Sequence, residues 1–100
     1  MTIPNGQLIT LAHPTVHSMN TTSEILTILQ EEAAEVIQIV SKIHRFGHHP
    51  DNMKKLVQEL GDLQCMINLC IEHHLVDEAM LQIRTQEKRE KLKTWSNIPV

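Results

Sequence analysis

The chain has 100 residues and a formal net charge of −3 at pH 7 with its seven histidines neutral. This length allows one small domain, and nothing in the slightly acidic balance suggests a surface that binds nucleic acid. Only Phe46 and Trp95 are aromatic, so a core must be built from aliphatic side chains. Because Gly and Pro are few, at 3 and 4 residues, the composition favours an all-α protein.

The sequence shows no membrane or secretion signal. No apolar run reaches the roughly 18 residues that a membrane span needs, and no signal peptide is evident. Cys65 and Cys70 lie in one predicted helix at a spacing that makes neither a CxxC motif nor a local disulfide, so we expect buried free thiols. Together these features predict a cytoplasmic protein that contacts no membrane.

Residues 1–20 are predicted to form an N-terminal arm or loop. Pro4, Gly6 and Pro14 interrupt any long helix there. An arm that crosses another subunit and a short helix over residues 7–13 both fit the pattern.

Residues 21–95 are predicted to form a helical domain whose first helix starts between residues 20 and 23. Thr21 and Glu24 have the spacing of a capping box, and Gly47 should end the helix. One apolar stripe contains Glu32, and its other members are Ile25, Leu29, Val36, Ile39 and Ile43. A second stripe consists of Leu26, Ala33, Ile37 and Val40. A helix that is apolar on two sides needs partners on both, which predicts a homo-oligomer, a dimer or a dimer of dimers.

A second helix should begin after Asp51, acting as its cap, and a third near Asp77. Gly61 lies within the second helix, where it suggests a close approach of another helix. Residues 96–100 are predicted to be a loose tail. The core stripe of the second helix is expected to be Leu56, Leu60, Leu63, Ile67 and Cys70.

Two acidic motifs lie within these apolar helices. The first contains Glu31, Glu32 and Glu35, and the second contains Glu59 and Asp62. Residues three apart on a helix share a face, and two antiparallel helices would bring both motifs together. Clustered carboxylates repel one another unless a cation neutralises them, and oxygen ligands suit a hard cation, most plausibly Mg²⁺.

Basic and amide side chains near the acids suggest how a substrate would be held. Lys42 and Lys55 lie nearer the predicted turn than the acids do and could form a cradle for a polyphosphate. Asn68 is polar within an apolar run, and it could either satisfy an interface or contact a nucleobase.

The two acidic motifs together resemble the signature of the MazG-like, all-α nucleoside triphosphate pyrophosphohydrolases. In that family a Glu-Glu-x-x-Glu helix is followed, after a variable spacer, by Glu-x-x-Asp. The resemblance covers roughly residues 23–95 and implies an antiparallel helical bundle whose four-helix core is completed by oligomerisation. It also implies hydrolysis of a nucleoside triphosphate to the monophosphate and pyrophosphate, with Mg²⁺, or Mn²⁺ as a substitute, held by Glu32, Glu35, Glu59 and Asp62.

The same resemblance suggests further roles. Glu31 would orient or deprotonate the attacking water, and Glu35 would be catalytic as well as a metal ligand. Lys88 matches a basic position in the family's third helix, although the asparagine common beside it appears here as Gln86. Substrate contacts are thus expected from Lys42, Lys55, Asn68 and Lys88.

Two other functions fit the same residues. A phosphoribosyl-ATP pyrophosphohydrolase shares the architecture and the acids. A non-catalytic helical interaction module could also carry an acidic face, and the two-sided first helix is compatible with it.

Overall fold

The computed structural model describes residues 20–100, which form three helices: α1, Thr21–Phe46; α2, Pro50–Glu72; and α3, Glu78–Trp95. No strand occurs in this part of the chain, so the all-α prediction is confirmed. The predictions for the arm at residues 1–19 lie outside the described residues. The chain divides into two compact units, the first ending at Leu69 and the second beginning at Cys70.

Local hydrogen bonds set the start of α1. The Oδ1 atom of Asn20 accepts a hydrogen bond from the backbone N–H of Ser23 at 2.7 Å, as an N-cap does. The predicted boundary is therefore confirmed, but the cap is Asn20 and not the capping box of Thr21 and Glu24. The backbone N–H of Glu24 instead closes the first helical turn on the Asn20 carbonyl at 2.9 Å.

Residues 47–49 connect α1 to α2. Gly47 ends α1 with a φ of 96°, and its N–H donates to the Ile43 carbonyl at 2.8 Å, as predicted for a C-terminal cap. The Asn52 side chain donates to the Gly47 carbonyl at 3.1 Å and fixes the turn. The predicted Asp51 cap is wrong, because α2 begins earlier, with Pro50 in the first turn. Proline fits there because its missing N–H would have no helical partner.

In the first unit, the predicted first stripe of α1 is its inward face. Ile25 and Ile39 are buried, and Leu29, Val36 and Ile43 are half-buried. On α2, the inward face is marked by Glu59 and Met66, which are both buried. Because a short turn joins the two helices and their acidic motifs meet, α1 and α2 form an antiparallel hairpin.

Leu60 was predicted to lie in the core stripe of α2, but it is 47 % exposed. Residues that follow one another on a helix point about 100° apart. Since Glu59 occupies the centre of the inward face, Leu60 is turned toward the flank. The prediction that Leu60 belongs to the core stripe is therefore wrong.

The second unit contains the end of α2 and all of α3. α2 ends in a Schellman motif with His74 at a φ of 58°: the Leu75 N–H bonds the Cys70 carbonyl at 2.8 Å, and the His74 N–H bonds the Ile71 carbonyl at 3.0 Å. α3 begins next to Asp77 as predicted, and Asp77 caps the helix by accepting a hydrogen bond from the Met80 N–H at 2.9 Å. No residue of α3 is buried. Residues 96–100 have no regular secondary structure, and the loose tail stays a prediction.

The two cysteines differ in environment. Both are free, Cys70 is buried and Cys65 is exposed. The expectation of buried thiols is therefore right for Cys70 and wrong for Cys65. Five residues apart on a helix, the two thiols point about 140° away from each other, so one inward face cannot bury both.

Substitution by alanine should have opposite effects on stability at the two glycines of the hairpin. Gly47→Ala should lower the free energy of unfolding by about 1–2 kcal/mol, because a Cβ strains a positive φ. Gly61→Ala is the matched control, since a Cβ there meets nothing within 4 Å in the described chain and helix propensity favours alanine by up to about 1 kcal/mol. Within the described residues no helix approaches Gly61 closely, so the close approach expected there is not made by this part of the chain.

Urea denaturation of both variants and the wild type measures these differences. A Gly47→Ala protein as stable as the wild type would contradict the assigned turn geometry.

Candidate functional site

Three carboxylates from the two acidic motifs meet inside the hairpin. Glu32 on α1 and Glu59 and Asp62 on α2 each place a carboxylate oxygen within 4.8 Å of the others. Glu32 reaches the group because it lies within the inward stripe of α1. Glu59 and Asp62, separated by about 60° around α2, share the face that looks toward it. We call these three residues the carboxylate group.

Glu59 is the anchor of the carboxylate group because it is only 4 % exposed. A buried carboxylate is strongly unfavourable unless a cation or hydrogen bonds compensate it. Here Lys55, one helical turn earlier, places its Nζ 3.1 Å from Glu59 Oε2. The side-chain hydrogen bond to Glu59, followed by the attraction of its charge, raises the pKa of Lys55. The ammonium therefore stays fully charged at neutral pH.

Glu32 has the perturbed carboxyl of the group. Partial removal from water raises the pKa of Glu32 above its ordinary value, and the negative charges of Asp62 and Glu59 raise it further. Glu35 and Glu31 contribute in the same direction. The surroundings of Glu32 thus favour the binding of a proton or of another cation.

The donor set fits a hard divalent cation. The three carboxylates are accompanied by one ammonium, that of Lys55. When all three acids are ionised, an excess of two negative charges therefore remains. Carboxylate oxygens are the ligands that Mg²⁺, Mn²⁺ and Ca²⁺ prefer. The chemistry of the group therefore suits such an ion, without selecting one of them.

Two further acids that the sequence predicted for the site lie close by. Glu35 is exposed, and its charge acts on both Glu32 and Lys55, but its carboxylate is not one of the three that converge. Glu31 is half-buried, near enough to raise the pKa of Glu32, and makes an interaction of its own. Their roles as metal ligand and as catalytic residues stay predictions.

Lys42 is not brought to the carboxylate group. It lies on an exposed groove of α1 whose other described members include Ile37 and Ser41. These two positions are about 140° and 180° from Glu32 around the helix, so the groove lies on the opposite side. Lys42 itself is about 80° from Glu32, on the same side as Glu35, but ten residues place it about 15 Å further along the helix axis.

The remaining predicted substrate contacts have other surroundings. Asn68 is exposed, and its Oδ1 accepts a hydrogen bond from Gln64 Nε2 at 2.9 Å. Lys88 is exposed on α3 and belongs to the second unit. Met66 is buried in the hairpin, while Trp95 is 82 % exposed.

The sequence interpretation missed the pairing of Lys55 with Glu59. It assigned Lys55 to phosphate binding because the lysine lies near the turn. The signal was present, because a lysine four residues before a glutamate on a helix can reach it. The spacing does not show that Glu59 is buried. Burial of Glu59 makes this ion pair more important for stability than an ordinary surface pair.

Glu32→Gln tests the electrostatics of the carboxylate group. A carboxyl whose pKa is raised on folding binds its proton more tightly in the native state, so its contribution to stability falls as the pH rises from 4.5 through the raised value. In EDTA at pH 7, Glu32→Gln should therefore melt at a higher temperature than the wild type, and the difference should shrink in acid. Thermal melts across this pH range measure it.

Glu87→Gln is the control for that experiment, because it removes one charge from an exposed pair with Arg84. Surface pairs contribute little, so its melting temperature should stay near that of the wild type. A Glu32→Gln protein less stable than the wild type at pH 7 in EDTA would show that the ionised carboxylate stabilises the fold.

Comparisons of the chain with protein-family models, with curated proteins and with solved structures give no match. None of the helices formed by residues 20–100 has the length and apolarity that a membrane crossing requires. Support for a function therefore comes from the carboxylate group and its surroundings.

Proposed function

We propose that the protein is a MazG-like, Mg²⁺-dependent nucleoside triphosphate pyrophosphohydrolase. The observation that carries this proposal is the convergence of Glu32 with Glu59 and Asp62 from the two motifs, with oxygens within 4.8 Å of one another. Two such motifs on facing helices suit Mg²⁺-assisted phosphoryl chemistry, in which the protein must hold the ion and leave it open to the substrate. The proposed reaction yields a nucleoside monophosphate and pyrophosphate.

The carboxylate group, with Glu35 as a further ligand, would hold the ion. Bound Mg²⁺ supplies charge neutralisation of the triphosphate and a more acidic water. Buried Glu59 gives the group a fixed point, since it cannot turn away without moving a packed side chain. Asp62 and Glu35 are exposed and so can face an incoming phosphate.

In the proposed reaction, a water oxygen bonds to the α-phosphorus and the bond from that phosphorus to the bridging oxygen breaks. Pyrophosphate leaves with the electron pair. Glu31, beside Glu32, accepts the proton of the water or orients it. The lysine nearest the group, Lys55, can attract the polyphosphate, while Lys42, Asn68 and Lys88 stay predictions for substrate binding.

Two alternatives remain in view. A phosphoribosyl-ATP pyrophosphohydrolase would use the same group on a related substrate. The non-catalytic helical module is favoured by a different observation, the exposed apolar side chains of α1, including Leu26 and Ile37.

A cytoplasmic location, expected from the free thiols, also stays a prediction.

The proposal predicts pyrophosphate release by the purified protein with Mg²⁺ from at least one member of a panel of canonical and modified nucleoside triphosphates. Asp62→Asn should lower the rate by about 100-fold or more, because it removes a charged oxygen ligand from the metal centre. Asp62 is exposed, so this variant should keep the fold. Glu87→Gln, on the second unit, is the matched control and should retain full activity.

The outcomes distinguish the candidates. Release from phosphoribosyl-ATP alone selects the related hydrolase. No release from any of these substrates by folded protein, together with a melting temperature that Mg²⁺ leaves unchanged, favours the interaction module. Equal rates for Asp62→Asn and the wild type would remove Asp62 from the site.

We also propose that a second copy of the chain covers the second apolar stripe of α1, giving a dimer or a dimer of dimers with a four-helix core. Leu26 is 49 %, Ile37 67 % and Val40 37 % exposed in the single chain. On α2, Val57 and Leu60 are also exposed, at 71 % and 47 %. Each exposed square ångström of apolar surface forfeits about 25 cal/mol, so these faces together favour association. Two helices from each of two chains would make the bundle.

Light scattering tests the assembly. The wild type should have a mass of at least twice 11.5 kDa at micromolar concentration. Ile37→Glu should dissociate it or lower its melting temperature, because an ionised carboxylate cannot be buried in an apolar interface. Ile98→Glu makes the same change at another exposed isoleucine, outside the stripe, and should leave the mass unchanged. A folded, active wild-type monomer would refute the assembly.

A further inference from the structure

The carboxylate group already holds one cation from the protein itself. Lys55 Nζ lies 3.1 Å from Oε2 of Glu59, the most buried member of the group. Glu32 and Asp62 place their oxygens within 4.8 Å of the same residue. We propose that Lys55 is an internal counter-ion that neutralises Glu59 in the metal-free protein and competes with the divalent cation for the carboxylate group. This inference rests on the proposed function and adds a residue that sets the metal affinity.

The competition follows from charge and distance. An ammonium and a divalent cation held by the same carboxylate group lie only a few ångströms apart, and they repel strongly where water is partly excluded. Glu59 is such a place, because it is 4 % exposed. A metal ion therefore binds at its full affinity only when the ammonium leaves Oε2.

The structure makes departure of the lysine easier than movement of the glutamate. The Lys55 side chain is 53 % exposed, so its flexible four-carbon stem can carry the ammonium into water. Glu59 is packed within the hairpin and stays in place. The released ammonium remains one helical turn from the group, where a phosphate can take the place of Glu59 as its partner.

Two other roles for Lys55 give different expectations. If Lys55 held Glu59 in the geometry that binds metal, its removal would weaken metal binding. If the contact were an ordinary surface ion pair, its removal would change metal binding no more than removal of any nearby positive charge. The sign and size of the change therefore identify the role.

Lys54 supplies the matched control. It is the neighbouring lysine on α2, it is exposed, and it makes no ion pair among the described residues. Lys54→Met and Lys55→Met both keep an unbranched apolar stem and remove one positive charge from the same helical turn. Their difference isolates the contact with Glu59.

The experiment is calorimetric titration of the wild type and both variants with Mg²⁺, repeated with Mn²⁺. Lys55→Met should bind the ion at least about tenfold more tightly than Lys54→Met, because an adjacent charge changes the cation affinity of a carboxylate by about one to three powers of ten. In EDTA, Lys55→Met should melt below Lys54→Met, since Glu59 loses its counter-ion.

Lys55→Arg keeps the inference testable if Lys55→Met does not fold. A guanidinium can hold the carboxylate through two parallel hydrogen bonds, so this variant should bind metal more weakly than the wild type. Metal binding by Lys55→Arg that equals or exceeds that of the wild type would overturn the competition.

Equal or weaker metal binding by Lys55→Met than by Lys54→Met would also overturn it. The proposed hydrolysis can fail separately: tighter binding by Lys55→Met without pyrophosphate release from any substrate would support the counter-ion role and reject the enzyme. No binding of either ion by the wild type or the variants at millimolar concentration would reject both.

Discussion

The hairpin depends on how it accommodates a carboxylate in its interior. Glu59 is as buried as Ile25 and Met66, yet it carries a charge that burial strongly disfavours. Two features of the described chain compensate for this burial. The ammonium of Lys55 pairs with Glu59, and Glu59 lies next to exposed Asp62. A core so small cannot absorb an uncompensated charge, because few apolar side chains contribute to it. Compensation of the charge on Glu59 is therefore a condition of stable folding.

Local chemistry explains why the helix boundaries could be predicted. Asn20, Gly47 and Asp77 act through hydrogen bonds or backbone angles within a few residues of themselves, and such signals can be read from sequence. Leu60 and Cys65 could not be placed in the same way. Their burial depends on the rotation of α2 about its axis, which the apolar pattern leaves open by tens of degrees. In the structure this rotation turns Glu59 toward α1, where its carboxylate lies near that of Glu32, a residue distant in sequence.

The candidate site was predicted to a similar extent and for a similar reason. Three-residue spacing within each motif, combined with an antiparallel hairpin, was enough to bring Glu32 to Glu59 and Asp62. The importance of the pairing between Lys55 and Glu59 depends on the burial of Glu59, which cannot be read from residue spacing. Lys42 does not reach the group because ten residues of helix place it about 15 Å along the axis from Glu32. Roles for residues of the second unit require an arrangement that neither helical period nor spacing determines.

The rotation of the two helices also separates the proposed functions of their surfaces. On α1, Glu31 and Glu35 lie about 100° and 60° to one side of Glu32, while Ile37 lies about 140° to the other. On α2, Asp62 lies about 60° to one side of Glu59, and Leu60 about 100° to the other. A second copy could thus cover the apolar flanks while the acidic flanks stay open to a cation and its phosphates. Association and substrate binding would then require no shared surface. Lys55 lies about 40° from Glu59 on the acidic flank, so the proposed exchange of its partner would not disturb the proposed interface.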